Sequence, residues 1–160
     1  MEKFSNNKIL IKKLINLNKT ISCMESCTGG MLASEITNVE GASKAFSLGI
    51  VTYSNEEKIK YGVNKEIIDE YTVYSNEVSE EMARCISKIA NSNFGVGITG
   101  QLGMPDSNNE SKNINLVYIS IFDKDKNRIY TFQVESKGKN RFEKKKFIVS
   151  YVFNQLLANI

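Results

Sequence analysis

Apolar runs of strand length alternate with amphipathic stretches along most of this chain, and that alternation limits the folds open to it. Apolar residues that recur every three or four positions predict helices, whereas short continuous apolar runs predict buried strands. The pattern predicts helices at residues 7–17, 30–37, 56–62, 65–70, 75–91 and 140–158. It predicts strands at residues 20–24, 45–52, 94–99, 114–122 and 128–134.

Most consecutive strands are separated by helices, and such connections place strands parallel in one sheet with helices on both faces. The turn K-D-K-N joins the last two strands as an antiparallel hairpin. The sequence therefore predicts an α/β fold, a three-layer α/β/α sandwich with a mixed, mostly parallel sheet of about five strands. Residues 45–52, with Gly49 inside, are predicted to form a buried strand. No internal repeat or linker is visible, so we expect one domain over residues 1–160.

The chain contains no histidine. This excludes serine–histidine–aspartate and cysteine–histidine catalysis, and also zinc held by histidine. The three cysteines, Cys23, Cys27 and Cys85, are an odd number, and we expect them to be reduced and to bind no metal. We expect no cofactor. Hydrolytic chemistry here must use lysine, tyrosine, carboxylate or hydroxyl groups.

Charge and hydropathy restrict the partners and the location that we expect. A net charge of +3 is too small to indicate nucleic acid by itself, and the basic segment 137–146 is typical of a solvated helix face. No apolar run reaches the ~18 residues of a membrane span, and residues 1–14 do not resemble a cleaved signal peptide. We therefore expect a cytoplasmic protein without a membrane partner.

Three loops that follow predicted strands have compositions unusual for plain turns. The first, Glu25 to Gly30, reads E-S-C-T-G-G; the second runs from Thr52 to Lys58; the third, residues 98–106, holds the only proline. Ligands of open α/β sheets collect at the carboxyl ends of strands. Paired glycines let the backbone approach a ligand, and free N–H groups of the next helix favour an anion or oxyanion. Taken alone, the first and third loops are equally well explained as structural turns, and the second is better explained by an exposed lysine on a solvated face.

Without histidine, a serine can be activated by a lysine whose pKa has fallen towards neutrality. A lysine at a helix start opposes the helix dipole, so Lys58 is favoured there only if something anionic lies nearby. Ser26 and Lys58 are therefore an admissible catalytic pair. The hypothesis requires their side chains to converge in one cleft above the sheet.

Five motifs, in order, resemble one known family. They are E-S-C-T-G-G at 25–30, G-A-S at 41–43, V-T-Y-S-N-E-E-K at 51–58, E-M-A at 81–83 and I-T-G at 98–100. Together they closely resemble the C-terminal domain of the competence/damage-inducible protein CinA. They also resemble its stand-alone form, the nicotinamide-mononucleotide amidohydrolase PncC. The similarity covers about residues 5–158, and the first and third motifs together are highly specific.

The resemblance implies an α/β/α homodimer that hydrolyses the carboxamide of nicotinamide mononucleotide without a metal. The products are nicotinic acid mononucleotide and ammonia. Ser26 would be the nucleophile, Lys58 the base or charge stabiliser, and Tyr53 would orient or share the proton. The reaction would pass through an acyl-enzyme on Ser26.

The same resemblance implies a set of substrate-binding residues. Ser43 and Thr99 would bind the substrate or polarise its oxygen. Arg141 would hold the phosphate, a role that suits a bidentate guanidinium. The full set comprises Thr28, Gly29, Gly30, Ser43, Thr99, Gly100 and Arg141.

Departures from the family pattern fall on loops that face a ligand. T-G-Q-L-G-M-P-D at 99–106 replaces T-G-I-A-G-P-x-G, N-L-V at 115–117 replaces G-T-V, and T-V-Y-S at 72–75 replaces G-A-V-S. G-K-N-R at 138–141 has one residue more than the family's G-D-R. These changes leave two alternatives open. One is a weakly active or inactive member that binds a nucleotide or a partner, and the other is a DNA-associated role suggested by the family name and segment 137–146.

Overall fold

Strands and helices alternate in the computed structural model, which describes residues 5–109 and 113–160. Every predicted element is present, with ends that differ from the prediction by no more than two residues. No helix in these two ranges is long and apolar enough to cross a bilayer. The helices are α1 Ser5–Asn16, α2 Met31–Thr37, α3 Asn55–Lys60, α4 Lys65–Tyr71, α5 Asn76–Ala90 and α6 Arg141–Asn159. The strands are β1 Ile21–Glu25, β2 Phe46–Val51, β3 Phe94–Gly100, β4 Leu116–Asp123 and β5 Arg128–Glu135.

The five strands form one sheet in the order β2-β1-β3-β4-β5. β1 pairs in parallel with β2 and β3, whereas β4 is antiparallel to β3 and β5, so four strands run in one direction. Buried residues of α1, α2 and α6 share one apolar cluster, and those of α4 and α5 share another. β1 contributes Ile21 and Cys23 to the first cluster and Met24 to the second. Helices therefore cover both faces, and the predicted three-layer α/β/α sandwich is confirmed.

The strand predicted at residues 45–52 is present, but the prediction that it is buried is wrong. β2 lies at the edge of the sheet and pairs only with β1, and its residues alternate between half-buried and exposed. Val51 retains 46% of its surface exposed. The run is nearly all apolar, and periodicity does not distinguish an edge strand of this composition from a central one.

Two glycines in β3 allow α5 to pack unusually close to the sheet. A Cβ at Gly97 would overlap the carbonyl oxygen of Ser79 and lie 2.7 Å from the backbone nitrogen of Ala83. A Cβ at Gly95 would overlap the carbonyl oxygen of Ala83 in the same way. Since these neighbours are backbone atoms, the helix itself would have to move to admit a side chain.

We therefore expect Gly97→Ala to lower the free energy of unfolding by about 3 kcal/mol, as overpacking of a tight interior does. Ser47→Ala, at an exposed β2 position, is the control and should change it by less than about 0.5 kcal/mol. Urea denaturation followed by circular dichroism measures both. A Gly97→Ala protein as stable as the parent would contradict the close approach of α5.

Candidate active site

A cavity of about 730 Å³ opens at the carboxyl ends of β1, β2 and β3. Each of the three loops singled out in the sequence contributes to its wall, and Arg141 at the start of α6 also lines it. Residues 72–75, between α4 and α5, contribute two further side chains. The three loops meet because the parallel strands before them end at the same edge of the sheet.

Ser26 and Lys58 meet in this cavity. Lys58 Nζ donates a hydrogen bond to Ser26 Oγ at 3.0 Å and another to the carbonyl oxygen of Thr52 at 2.7 Å. Ser26 directly follows β1, and its backbone N–H donates to Ile98 on β3, which holds the serine at the end of the sheet. Lys58 lies on α3, whose first turn is capped by the Ser54 side chain. The structure thus brings together two residues that are 32 positions apart.

Lys58 is among the largest fully buried side chains of the described residues, with 1% of its surface exposed. Burial lowers the pKa of its amine to about 8, because the charged form loses solvation; the groups of Cys27 and Asp106 act weakly in the opposite direction. A substantial fraction of the amine is therefore neutral near pH 7 to 8. A neutral amine in contact with a hydroxyl can accept its proton.

The buried carboxylate of Glu25 organises the turn that presents Ser26. It is 1% exposed and accepts hydrogen bonds from the hydroxyl of Thr28 at 2.6 Å and from the backbone N–H groups of Leu32 at 2.9 Å and Ala33 at 3.0 Å. Sequence reasoning assigned Glu25 no role. The available signal was a carboxylate shortly before a helix, where it can satisfy the free N–H groups of the first turn.

The Glu25 carboxylate occupies the N-terminus of α2, where an anion of the ligand was expected. The first-turn N–H groups of α2 were predicted to favour an anion or oxyanion from the ligand, but the N–H groups of Leu32 and Ala33 already bind Glu25. The N–H of Met31 donates to the carbonyl of Thr28. That expectation is wrong because the anion at the helix end belongs to the chain itself. In the described part of the chain, the N–H of Cys27, next to Ser26, has no hydrogen-bond partner on another residue and contacts only the thiol of Cys27 itself.

Thr28, Gly29 and Gly30 shape the turn, and none of them is among the described residues that line the cavity. The Thr28 hydroxyl is used by Glu25 and is 1% exposed. Gly29 and Gly30 have φ of 60° and 95°, which glycine adopts without strain. Their role as substrate-binding residues stays a prediction.

Tyr53 and Arg141 lie together at the rim of the cavity. Arg141 Nη2 donates to Tyr53 Oη at 3.4 Å, and Tyr53 is 65% exposed. Both side chains line the cavity, so a guanidinium and a phenol face its opening. This geometry leaves the guanidinium available to an anionic ligand.

Thr99 and Gly100 also line the cavity, whereas Ser43 does not. Thr99 is almost fully buried and its hydroxyl donates to the carbonyl of Val73 at 2.8 Å, so this proton is not free to polarise a substrate oxygen. Ser43 is exposed on the short 3-10 helix Ala42–Lys44. Its contact with the substrate stays a prediction.

Cys27 lines the cavity beside the serine, yet it is poorly suited to be the nucleophile. Burial raises the pKa of its thiol to about 12, although Lys58 opposes that shift. The thiolate, which is the reactive form, is therefore scarce near neutral pH.

Sequence reasoning did not identify a polar network that forms another part of the wall. Tyr74 Oη donates to Asp106 Oδ2 at 2.6 Å, and Asn109 Nδ2 donates to the same oxygen at 2.8 Å. Asn109 also accepts a hydrogen bond at 2.8 Å from Asn55 at the start of α3. Tyr74 and Asp106 both fall in segments that depart from the family pattern, which was the only sequence signal for them.

Comparison with known proteins gives concordant results for sequence and structure. A "CinA-like protein" of Kosmotoga olearia is 38% identical over 152 residues, which are 94% of this chain and 37% of that protein. A Clostridium kluyveri protein named as competence-damage inducible is 45% identical over 118 residues, 73% of this chain and 28% of that protein. The chain therefore spans about a third of the length of these relatives.

Solved structures share the fold over nearly the whole chain. A competence-damaged protein (CinA) superfamily protein from Escherichia coli superposes with a TM-score of 0.89 at 25% identity, covering 99% of this chain and 90% of that one. The competence damage-inducible protein A of Klebsiella pneumoniae has a TM-score of 0.91 at 19% identity, covering 99% and 97%, and shows the fold alone. The family model described as "CinA C-terminal domain" matches residues 3–160. The chain belongs to the CinA C-terminal domain family.

Proposed function

We propose that this protein is an amidohydrolase that converts nicotinamide mononucleotide to nicotinic acid mononucleotide and ammonia through Ser26 and Lys58. The observation that carries the proposal is the 3.0 Å contact between the Ser26 hydroxyl and a buried amine whose pKa is lowered to about 8. Membership in the CinA family, and the resemblance of its motifs to the stand-alone amidohydrolase, support the choice of substrate.

The first chemical step is attack by Ser26 on the carboxamide carbon. Neutral Lys58 keeps one N–H on the Thr52 carbonyl, which turns its lone pair towards the serine, and takes the hydroxyl proton as Oγ bonds to carbon. The carbonyl π electrons move to oxygen and form an oxyanion. The N–H of Cys27, which donates to no other described residue, is a suitable donor to that oxygen, and such a donor contributes about 3 kcal/mol in known hydrolases.

Collapse of the oxyanion breaks the carbon–nitrogen bond. The Lys58 ammonium returns its proton to the leaving nitrogen, which departs as ammonia and leaves an ester on Ser26. Lys58 then takes a proton from water as the water oxygen attacks the ester. The carboxylic acid product leaves, Ser26 regains its proton from Lys58, and one water has replaced one ammonia.

The rim of the cavity suits the phosphate of the nucleotide. Among the described residues, the Arg141 guanidinium donates only to Tyr53, and a guanidinium binds phosphate with geometric specificity. The alternative is a member of the family that binds the nucleotide without hydrolysing it. The altered loop at 99–106 motivates it, because Gln101 and Asp106 add side chains to the cavity wall.

We expect Ser26→Ala and Lys58→Met each to reduce ammonia release from nicotinamide mononucleotide about a thousandfold or more, since each removes a member of the reacting pair. Lys58→Met keeps the volume of the buried side chain, so the fold should survive. Lys60→Met, at an exposed position on the same helix, is the matched control and should retain activity. Calorimetry that detects the nucleotide binding without ammonia release would favour the alternative. Undiminished turnover in both variants would reject the mechanism.

The pH dependence separates the two roles open to Lys58. The pKa of the amine is lowered to about 8, so below that pH a general base is mostly protonated and inactive. We expect kcat/KM to rise about tenfold per pH unit up to about pH 8 and then to level off. A rate that falls as the amine loses its proton would instead assign Lys58 a charge-stabilising role. A flat profile between about pH 7 and 9 would contradict both.

A further inference from the structure

Asp106 places a rigidly held carboxylate in the wall of the cavity. Its Oδ2 accepts hydrogen bonds from Tyr74 Oη at 2.6 Å and Asn109 Nδ2 at 2.8 Å, and its Oδ1 accepts one from the backbone N–H of Asn108 at 2.8 Å. Asn109 is tied in turn to Asn55 on α3. A carboxylate has about four lone-pair sites, so these bonds fix its position while leaving Oδ1 able to interact with a ligand.

The charge of this group persists at neutral pH. Hydrogen bonds from Tyr74 and Asn109 hold the pKa of the Asp106 carboxyl below its ordinary value. Its field reaches the Lys58 amine, whose pKa it raises slightly against the effect of burial. Glu56 also lines the cavity, but it is exposed and its carboxylate accepts no hydrogen bond from any described residue. Asp106 is therefore the anchored negative charge of the site.

A fixed anion is an unexpected wall component for a site that takes a phosphate and forms a carboxylate, because it repels both. It becomes favourable if the ligand also carries a positive charge. Arg141 lines the same cavity and keeps its charge at any physiological pH, so a permanent cation and the anchored Asp106 carboxylate both face the ligand. This pair of charges complements a zwitterionic ligand with an anionic phosphate and a cationic ring.

We propose that Asp106, held in place by Tyr74, is a specificity-determining residue that selects substrates whose carboxamide is attached to a positively charged ring. The proposal rests on the amidohydrolase function proposed above, in which the substrate ring is an N-glycosyl pyridinium. Nucleotides with the same carboxamide and phosphate but a neutral ring are discriminated against.

The test compares nicotinamide mononucleotide with its reduced dihydropyridine form, which differs mainly in ring charge. Titration calorimetry measures the dissociation constant of each ligand with the Ser26→Ala protein, where hydrolysis does not interfere. The quantity of interest is the preference, the dissociation constant of the neutral-ring form divided by that of the cationic form. We expect Asp106→Asn to lower this preference about fivefold to tenfold, the effect of removing one charge a few ångströms from another in a partly screened site.

Two further variants test whether the change in preference is specific to the Asp106 charge and to its hydrogen bond with Tyr74. Asp69→Asn removes the same charge from the exposed surface of α4, outside the cavity, and should leave the preference unchanged. Tyr74→Phe keeps the Asp106 charge but removes its shortest hydrogen bond, so the preference should fall less than in Asp106→Asn. A Tyr74→Phe protein with the parental preference would overturn the part assigned to Tyr74.

The outcomes distinguish this proposal from the proposed reaction. An unchanged preference in Asp106→Asn, with ammonia release by the parent, would overturn charge selection and leave the amidohydrolase intact. A preference that depends on Asp106, without ammonia release, would support charge selection and reject the hydrolysis. Failure of both ligands to bind would overturn the proposal altogether.

Discussion

The amine of Lys58 is buried against the ends of the sheet, and this placement governs the arrangement around it. A buried amine is costly unless polar partners receive it or its proton is lost. The partners are the Thr52 carbonyl and the Ser26 hydroxyl, and they lie within reach because β1 and β2 pair in parallel and end side by side. The backbone N–H of Thr52 donates to the Glu25 carbonyl at 2.8 Å, which extends that pairing to the site itself. Burial thus lowers the pKa of the amine and places the amine in contact with the serine hydroxyl.

Glu25 holds the turn that presents Ser26, the partner of Lys58. Its carboxylate neutralises the N-terminus of α2 from within and holds the Thr28 hydroxyl, so the E-S-C-T-G-G turn is a closed unit. An exogenous anion at the same helix end would compete with a buried carboxylate that already accepts from Thr28, Leu32, Ala33 and the Cys23 thiol. The Cys27 N–H and the Lys58 amine both lie beside Ser26, and neither is used by the Glu25 carboxylate.

The loop at 99–106 departs from the motif of the family that the sequence resembles, and its side chains line the cavity. The fold shared with the family carries the contact between Ser26 and Lys58, while Tyr74, Asp106 and Asn109 form another part of the cavity wall. Tyr74 and Asp106 belong to two segments, far apart in the sequence, that each depart from the family motif. A hydrogen bond of 2.6 Å joins their side chains. Loops of this kind can change ligand preference while the strands and helices beneath them stay the same.

The sequence by itself determined the alternation of elements, the α/β class, the exclusion of histidine chemistry and the three loops at one end of the sheet. These follow from local periodicity, composition and the geometry of parallel strands. Only the tertiary structure showed that β2 is an edge strand, that Glu25 occupies the N-terminus of α2, and that Ser43 lies away from the cavity. It alone gave the 3.0 Å between Ser26 and Lys58 and the pairing of Tyr74 with Asp106, each across 32 residues. Contacts at that separation depend on strand order and helix packing, which local patterns of residues do not encode.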